Sequence, residues 1–155
     1  MAHTKSLLQW NCNGYYKHLA ELRQLLAQYD SSVICLQETN FKFGDQAKIR
    51  GYSCHRIDRL IANQASGGVA TFVREDVFCQ EVNLNTQLEA VAVQIPLPGM
   101  TTICNVYLPP GALIDSADIE DLIAQLPPPF ILLGDFNAHH PLWGDPNSDA
   151  RGHDL

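Results

Sequence analysis

An acid and an amide two residues apart close one apolar run of this chain: Phe130-Ile131-Leu132-Leu133-Gly134 leads into Asp135-Phe136-Asn137. A carboxylate can orient or deprotonate water, and a neutral amide can donate to a phosphate oxygen without repelling it. If the chain stays extended to Asn137, both side chains point the same way. Three other runs end similarly. Leu7-Leu8-Gln9-Trp10 reaches Asn11, Val33-Ile34-Cys35-Leu36 reaches Glu38, and Ile103-Cys104-Asn105-Val106 reaches Tyr107. Polar groups at the mouths of buried strands lose hydration unless something compensates them. Four such endings suggest one shared site at a sheet edge, where α/β folds place ligands.

Each residue also has a plainer structural use. Glu38 suits a hard divalent ion such as Mg²⁺, or caps the loop that begins with Thr39 and Asn40. Asn11 and Asn13 share one side of an extended chain, yet Asn13-Gly14 is also a turn signal. Tyr107 fits a core residue whose hydroxyl reaches the rim. Asp135 and Asn137 could bond their own backbone in a turn, which would leave the long apolar approach unexplained. His139 and His140 lack the ligand spacing of a zinc site and read better as loop histidines near a phosphate path.

The positioning elements follow from periodicity. Leu7–Trp10 reads as a strand, and Leu19, Leu22, Leu25, Leu26 and Tyr29 recur at helical spacing, predicting a helix from about Tyr15 to Tyr29. Val33–Leu36 is the next strand, so this is a β-α-β unit with parallel strands. Tyr52–Ile57, Val69–Val73, Ala90–Ile95 and Thr101–Val106 are short runs separated by Gly and Pro, and read as antiparallel hairpins. A second helix starts near Asp115 or Ser116, buries Ile119, Leu122, Ile123 and Leu126, and stops at Pro127-Pro128-Pro129. The run from Phe130 then reads as a strand buried on both faces. Residues 150–155 look like the start of a further element.

At 155 residues the chain is one domain, able to bury about 70% of its unfolded surface. No apolar stretch is long enough to span a membrane, and no signal-peptide core opens the chain. Five cysteines without a C-x-x-C pair read as buried small hydrophobes in a reducing, intracellular compartment. The net charge of −7 is uneven: residues 1–74 carry nine Lys/Arg against five Asp/Glu, and residues 75–155 one Arg against twelve acids. Lys42, Lys48, Arg50, Arg56 and Arg59 form a basic strip compatible either with phosphate contacts or with a solvated surface.

Taken in order, Trp10-Asn11-Cys12-Asn13-Gly14, Cys35-Leu36-Gln37-Glu38-Thr39, Ser66-Gly67-Gly68-Val69-Ala70, Asn105-Val106-Tyr107-Leu108-Pro109 and Gly134-Asp135-Phe136-Asn137 resemble the endonuclease/exonuclease/phosphatase superfamily, which includes DNase I-like nucleases and apurinic/apyrimidinic endonucleases. Residues 134–144 with Arg151-Gly152 are most similar to the endonuclease domain of LINE-type (non-LTR) retrotransposons. The resemblance implies a four-layer α/β sandwich, two mixed sheets with helices outside. It matches Asn11 and Glu38 to metal positions, Asn13 to a supporting one, Asp135 to the residue that positions water, and Asn137 and Tyr107 to phosphate contacts. It implies Mg²⁺, with Mn²⁺ a substitute, a DNA substrate nicked to prime reverse transcription in the nucleus, and a reverse transcriptase domain in the same polypeptide. His139, His140 and the basic strip become candidate DNA contacts. Other phosphate esters as substrates, or a remnant without catalysis, are the alternatives.

Two departures stand out. Asn40 occupies a position where many relatives have Lys. The Ser-Asp-His motif that completes the family's site is absent, so the expectation is a domain lacking its last strands, with one unpaired sheet edge and little catalysis of its own.

Overall fold

Two four-stranded mixed sheets are built on the same plan by the two halves of the chain. The computed structural model describes residues 5–155. β1 (Leu7–Asn11), α1 (Leu19–Tyr29) and β2 (Val33–Gln37) make the β-α-β unit, with β1 and β2 parallel. β3 (Tyr52–Ile57) is followed by a small ribbon of β4 (Leu60–Ile61) and β5 (Gln64–Ala65), then by β6 (Val69–Arg74), which pairs antiparallel with both β2 and β3. The first sheet thus runs β1-β2-β6-β3. In the second half, β7 (Gln80–Val82), β8 (Glu89–Pro96) and β9 (Met100–Tyr107) are antiparallel. α2 (Ser116–Ala124) then crosses over, and β10 (Phe130–Asp135) lies parallel to β9, giving β10-β9-β8-β7. A short 3₁₀ turn (Pro141–Trp143) and α3 (Ala150–Asp154) follow.

Alternation along the strands sorts residues into layers. Val33, Cys35 and Val73 meet Val93, Ile95 and Ile103 between the sheets. Ile34, Leu36 and Phe72 face the other way, onto Leu22 of α1. Cys104 and Val106 pack on Ile119 and Leu122 of α2. This is the expected four-layer α/β sandwich with mixed sheets and outer helices. The Asp115 carboxylate caps α2 by accepting from the Asp118 amide, and the Asp118 side chain returns the bond. Among the described residues no helix is long and apolar enough to cross a membrane.

Three elements differ from the reading above. α1 begins at Leu19, not Tyr15, because the backbone amides of Gly14 and Tyr15 donate to Glu38 and Thr39 instead of entering a helix. The Tyr15 ring is buried against Phe41 and Phe72. In the middle of the chain only β8–β9 is a simple hairpin, and the runs at β6 and β8 belong to different sheets. β10 is an edge strand, not one buried on both faces: it pairs only with β9, and Phe130 and Ile131 are 38% and 40% exposed. Its apolar run reflects two contacts, Leu132 against the α2 layer and Leu133 against the inter-sheet layer.

Gly134 lets β10 approach β9 closely. Its φ is +145°, and a Cβ there would lie 1.8 Å from the Val106 carbonyl oxygen. That atom is backbone and cannot step aside. Gly134→Ala is therefore expected to destabilise the fold by about 3 kcal/mol or more. Urea denaturation checks this, and a loss under 0.5 kcal/mol would show that the strands separate easily.

Candidate active site

β1 and β10 end in matching turns. The Asn13 amide donates to Asn11 Oδ1 at 3.1 Å, and the Asn137 amide donates to Asp135 Oδ1 at 3.0 Å. Asn13 and Asn137 have φ of +43° and +45°. Neither pair is extended, so the shared-side geometry expected from alternation does not hold. The local side chain–backbone bond of Asn and Asp wins over strand continuation. Asn13 is exposed, while Asn137 Nδ2 donates to the Leu108 carbonyl at 2.9 Å.

The first residue of each turn faces the other. Asn11 Nδ2 donates to Asp135 Oδ2 at 2.6 Å and to Glu38 Oε1 at 2.8 Å. One amide thus joins two carboxylates from opposite sheets, which would otherwise repel each other. Glu38 sits at φ +51° in a loop held by the Gly67-Gly68 turn: Asn40 N–H donates to Gly67 O, Thr39 N–H to Gly68 O, and Gly67 N–H to Asn40 Oδ1 at 2.8 Å. Tyr107, at the end of β9, bonds the Glu38 carboxylate. Burial pushes the Tyr107 phenol well up, and the bond to Glu38 and the charges of Glu38, Glu89 and Asp135 add to it. Tyr107 is therefore a proton-bearing donor at neutral pH, not a base.

Glu89 was not among the candidates from sequence. It lies opposite Tyr107 in the β8–β9 register, is buried, accepts from the Gly68 amide at 2.5 Å and pairs with Arg59 at 3.1 Å. Burial raises its pKa against the Gly68 bond and Arg59, which lower it. A signal was present, because Glu89 opens an apolar run. β8 is antiparallel to β9, so the start of β8 lies at the same edge as the end of β9.

Asn11, Asp135 and Asn137 line a cleft of about 720 Å³ walled by Leu132, His139 and Trp143. Tyr107 and Glu89 line a second cleft of about 440 Å³. The joined carboxylates lie where these clefts approach each other. Glu38 and Asp135 supply the negative oxygens, a donor set that fits Mg²⁺, which keeps most of its own water and needs few protein ligands. Asn11 turns its nitrogen to the carboxylates, and its oxygen is engaged by Asn13. Among the described residues no group of three or more His, Cys, Asp and Glu gathers as a ready metal cage.

The basic strip divides. Lys42, Lys48 and Arg50 are exposed. Arg56 pairs with Asp58 at 3.1 Å and stacks on Phe41, and Arg59 is committed to Glu89. His140 accepts from the Leu142 amide and stacks against Trp143 and His153.

His139 Nδ1 lies 2.6 Å from Asp145 Oδ2. The bond to Asp145 raises the His139 pKa, and bonds from Asn147 and His139 lower that of Asp145. A raised histidine contributes stability fully present below its ordinary 6.5 and lost as pH rises through its folded value. A lowered aspartate contributes above its ordinary 3.8 and loses this as pH falls through its folded value. The pair is thus fully formed between those two limits. Proton NMR should show His139 titrating above its ordinary value and returning to it in Asp145→Asn; an unchanged titration would remove the pair.

The chain belongs to the Endonuclease/Exonuclease/phosphatase family, whose model matches residues 8–155. It is 31% identical over 148 residues to an RNA-directed DNA polymerase from mobile element jockey of Drosophila melanogaster, covering 92% of this chain and 16% of that protein. It is 30% identical over 154 residues to a probable RNA-directed DNA polymerase from transposon BS of the same organism, covering 96% of this chain and 17% of the relative. The chain therefore spans about one sixth of these relatives. Its fold matches the endonuclease domain of TRAS1, a telomere-specific non-LTR retrotransposon, with TM-score 0.75 and 22% identity over 96% of this chain and 68% of that one. An AP endonuclease from Archaeoglobus fulgidus matches with TM-score 0.60 and 18% identity, over 90% of this chain and 60% of that one.

Proposed function

We propose that this chain is the endonuclease domain of a LINE-type retrotransposon, hydrolysing a DNA phosphodiester with Mg²⁺ and leaving a 3′-hydroxyl that primes reverse transcription. The observation that carries the reading is the single Asn11 amide joining Glu38 and Asp135 beside the Tyr107 phenol. The relatives that match are RNA-directed DNA polymerases several times longer, which supports a reverse transcriptase domain in the same polypeptide.

Glu38 would hold the divalent ion, with Asn11 orienting the carboxylate. Bound there, the metal supplies charge neutralisation at phosphorus and support for the leaving oxygen. Asp135 accepts a hydrogen bond from the attacking water and takes its proton. Tyr107, protonated, donates to a phosphate oxygen, and the Asn137 amide gives a second, uncharged donor. Asn13 supports the site by fixing the Asn11 oxygen. Exposed Lys42, Lys48 and Arg50 meet the DNA backbone, with His139 and His140 on the rim of the cleft.

The test is supercoiled plasmid with Mg²⁺, Mn²⁺ or EDTA, beside a phosphoinositide with phosphate release as readout. Nicked circle that a polymerase can extend, formed with either ion and absent in EDTA, is expected. Phosphate release from the lipid without nicking would move the site to another phosphate ester, and activity on neither would make the chain a remnant.

A further inference from the structure

Arg151 gives five hydrogen bonds, and all of them go to backbone carbonyls. One terminal nitrogen reaches Leu108 O at 3.3 Å, Phe136 O at 3.1 Å and Asn137 O at 3.4 Å. The other reaches Pro109 O at 3.1 Å and Ala112 O at 3.0 Å. These carbonyls belong to the two loops that leave β9 and β10 just past Tyr107 and Asp135. The Leu108 carbonyl also takes the Asn137 side-chain amide at 2.9 Å, and the Leu108 amide donates to Asp135 O at 2.9 Å.

We propose that Arg151 is a positioning residue of the active site, its planar fork holding the Asn137 peptide and the Leu108 carbonyl so that the Asn137 amide is presented to substrate. The proposal rests on the nuclease reading for its consequence, not for its geometry. Asn137 sits at φ +45°, a conformation that needs outside support. Arg151 bonds the carbonyl of Asn137 itself and shares the acceptor of its side chain, so peptide plane and amide are set by one group. Only a guanidinium can do this: five fixed donors meet five acceptors, whereas an ammonium offers three.

The segment that delivers Arg151 is itself anchored. Asp149 Oδ1 accepts from Gly152 N–H at 2.6 Å and His139 N–H at 3.1 Å. A Cβ on Gly152 would lie 2.0 Å from the His139 carbonyl oxygen, so this glycine permits the close approach that aims its neighbour.

Arg151→Lys keeps the charge and loses the fork, and Arg151→Gln loses both. Arg74→Gln, at the far end of β6, serves as the surface control. In ¹⁵N-labelled protein, both Arg151 variants should move the Asn137 side-chain amide resonance and slow Mg²⁺-dependent nicking at least tenfold in kcat, with KM within twofold. The control should change neither. An Asn137 amide unmoved in folded variants, or loss of fold in both, would overturn the proposal, because the fork would then serve the fold alone. If the unmutated chain does not nick DNA, the nuclease reading fails and the amide resonance alone decides the positioning role.

Discussion

Asp135→Asn is expected to slow Mg²⁺-dependent nicking by about 10²–10⁴-fold, the range for loss of a positioned acid–base group. The substitution keeps the shape. Asn at this position can still accept from the Asn137 amide, as Asp135 Oδ1 does at 3.0 Å. It loses the charge that takes a proton from water and the oxygen that accepts from Asn11 Nδ2 at 2.6 Å. Because Asp135 and Glu38 are like charges held at one amide, removing one relieves repulsion. Stability should therefore hold or rise slightly while activity collapses. Parallel nicking rates and urea midpoints read both, and a variant that loses fold and activity together would make Asp135 a structural residue.

Asn105→Ala should have the largest effect on stability, about 3–4 kcal/mol. Asn105 is fully buried between the sheets. Its Nδ2 donates to Leu36 O at 3.2 Å, Ala70 O at 3.1 Å and Thr71 Oγ1 at 3.3 Å, while its Oδ1 accepts from Gln37 Nε2 at 2.7 Å. Every donor and acceptor is used, so truncation leaves several buried polar groups unmatched as well as a cavity. Asn105 also lies on β9 two residues before Tyr107, and Gln37 lies next to Glu38. The loss should loosen the site together with the fold. Denaturant unfolding showing less than 1 kcal/mol would mean that water replaces the side chain easily.

The fold was legible where apolar periodicity was strong and local. The β-α-β unit, the capped second helix and the alternation through β8 and β9 follow from residue spacing alone. α1 was read four residues too long because Tyr15 continues the apolar stripe. Its backbone, however, is claimed by Thr39, a contact across the sheet that spacing does not reveal. β10 was read as a central strand because hydrocarbon content reports contact with apolar layers, not which strand edges are paired. Gln37 and Asn105 were passed over as site or core residues, since a buried amide pair is visible only once the two sheets are face to face.

Asn11, Glu38, Tyr107 and Asp135 were found from sequence because each closes an apolar run, and parallel strands bring those ends to one edge. Glu89 and Gly67-Gly68 escaped because antiparallel strands bring their starts to that same edge. Arg59 was read as a DNA contact on charge alone, whereas its partner Glu89 is distant in sequence. Arg151 had only its place in the resembling segment to mark it. Its five acceptors are backbone atoms and leave no trace in residue identity.

The central claim is that Glu38 and Asp135, joined by Asn11, form a divalent-cation site. The most direct measurement is a calorimetric Mg²⁺ titration of the chain and of Glu38→Gln. Weak binding, on the order of millimolar for an ion that keeps most of its water, is predicted for the chain and should weaken further or vanish in the variant. Identical isotherms for the two proteins would contradict the assignment.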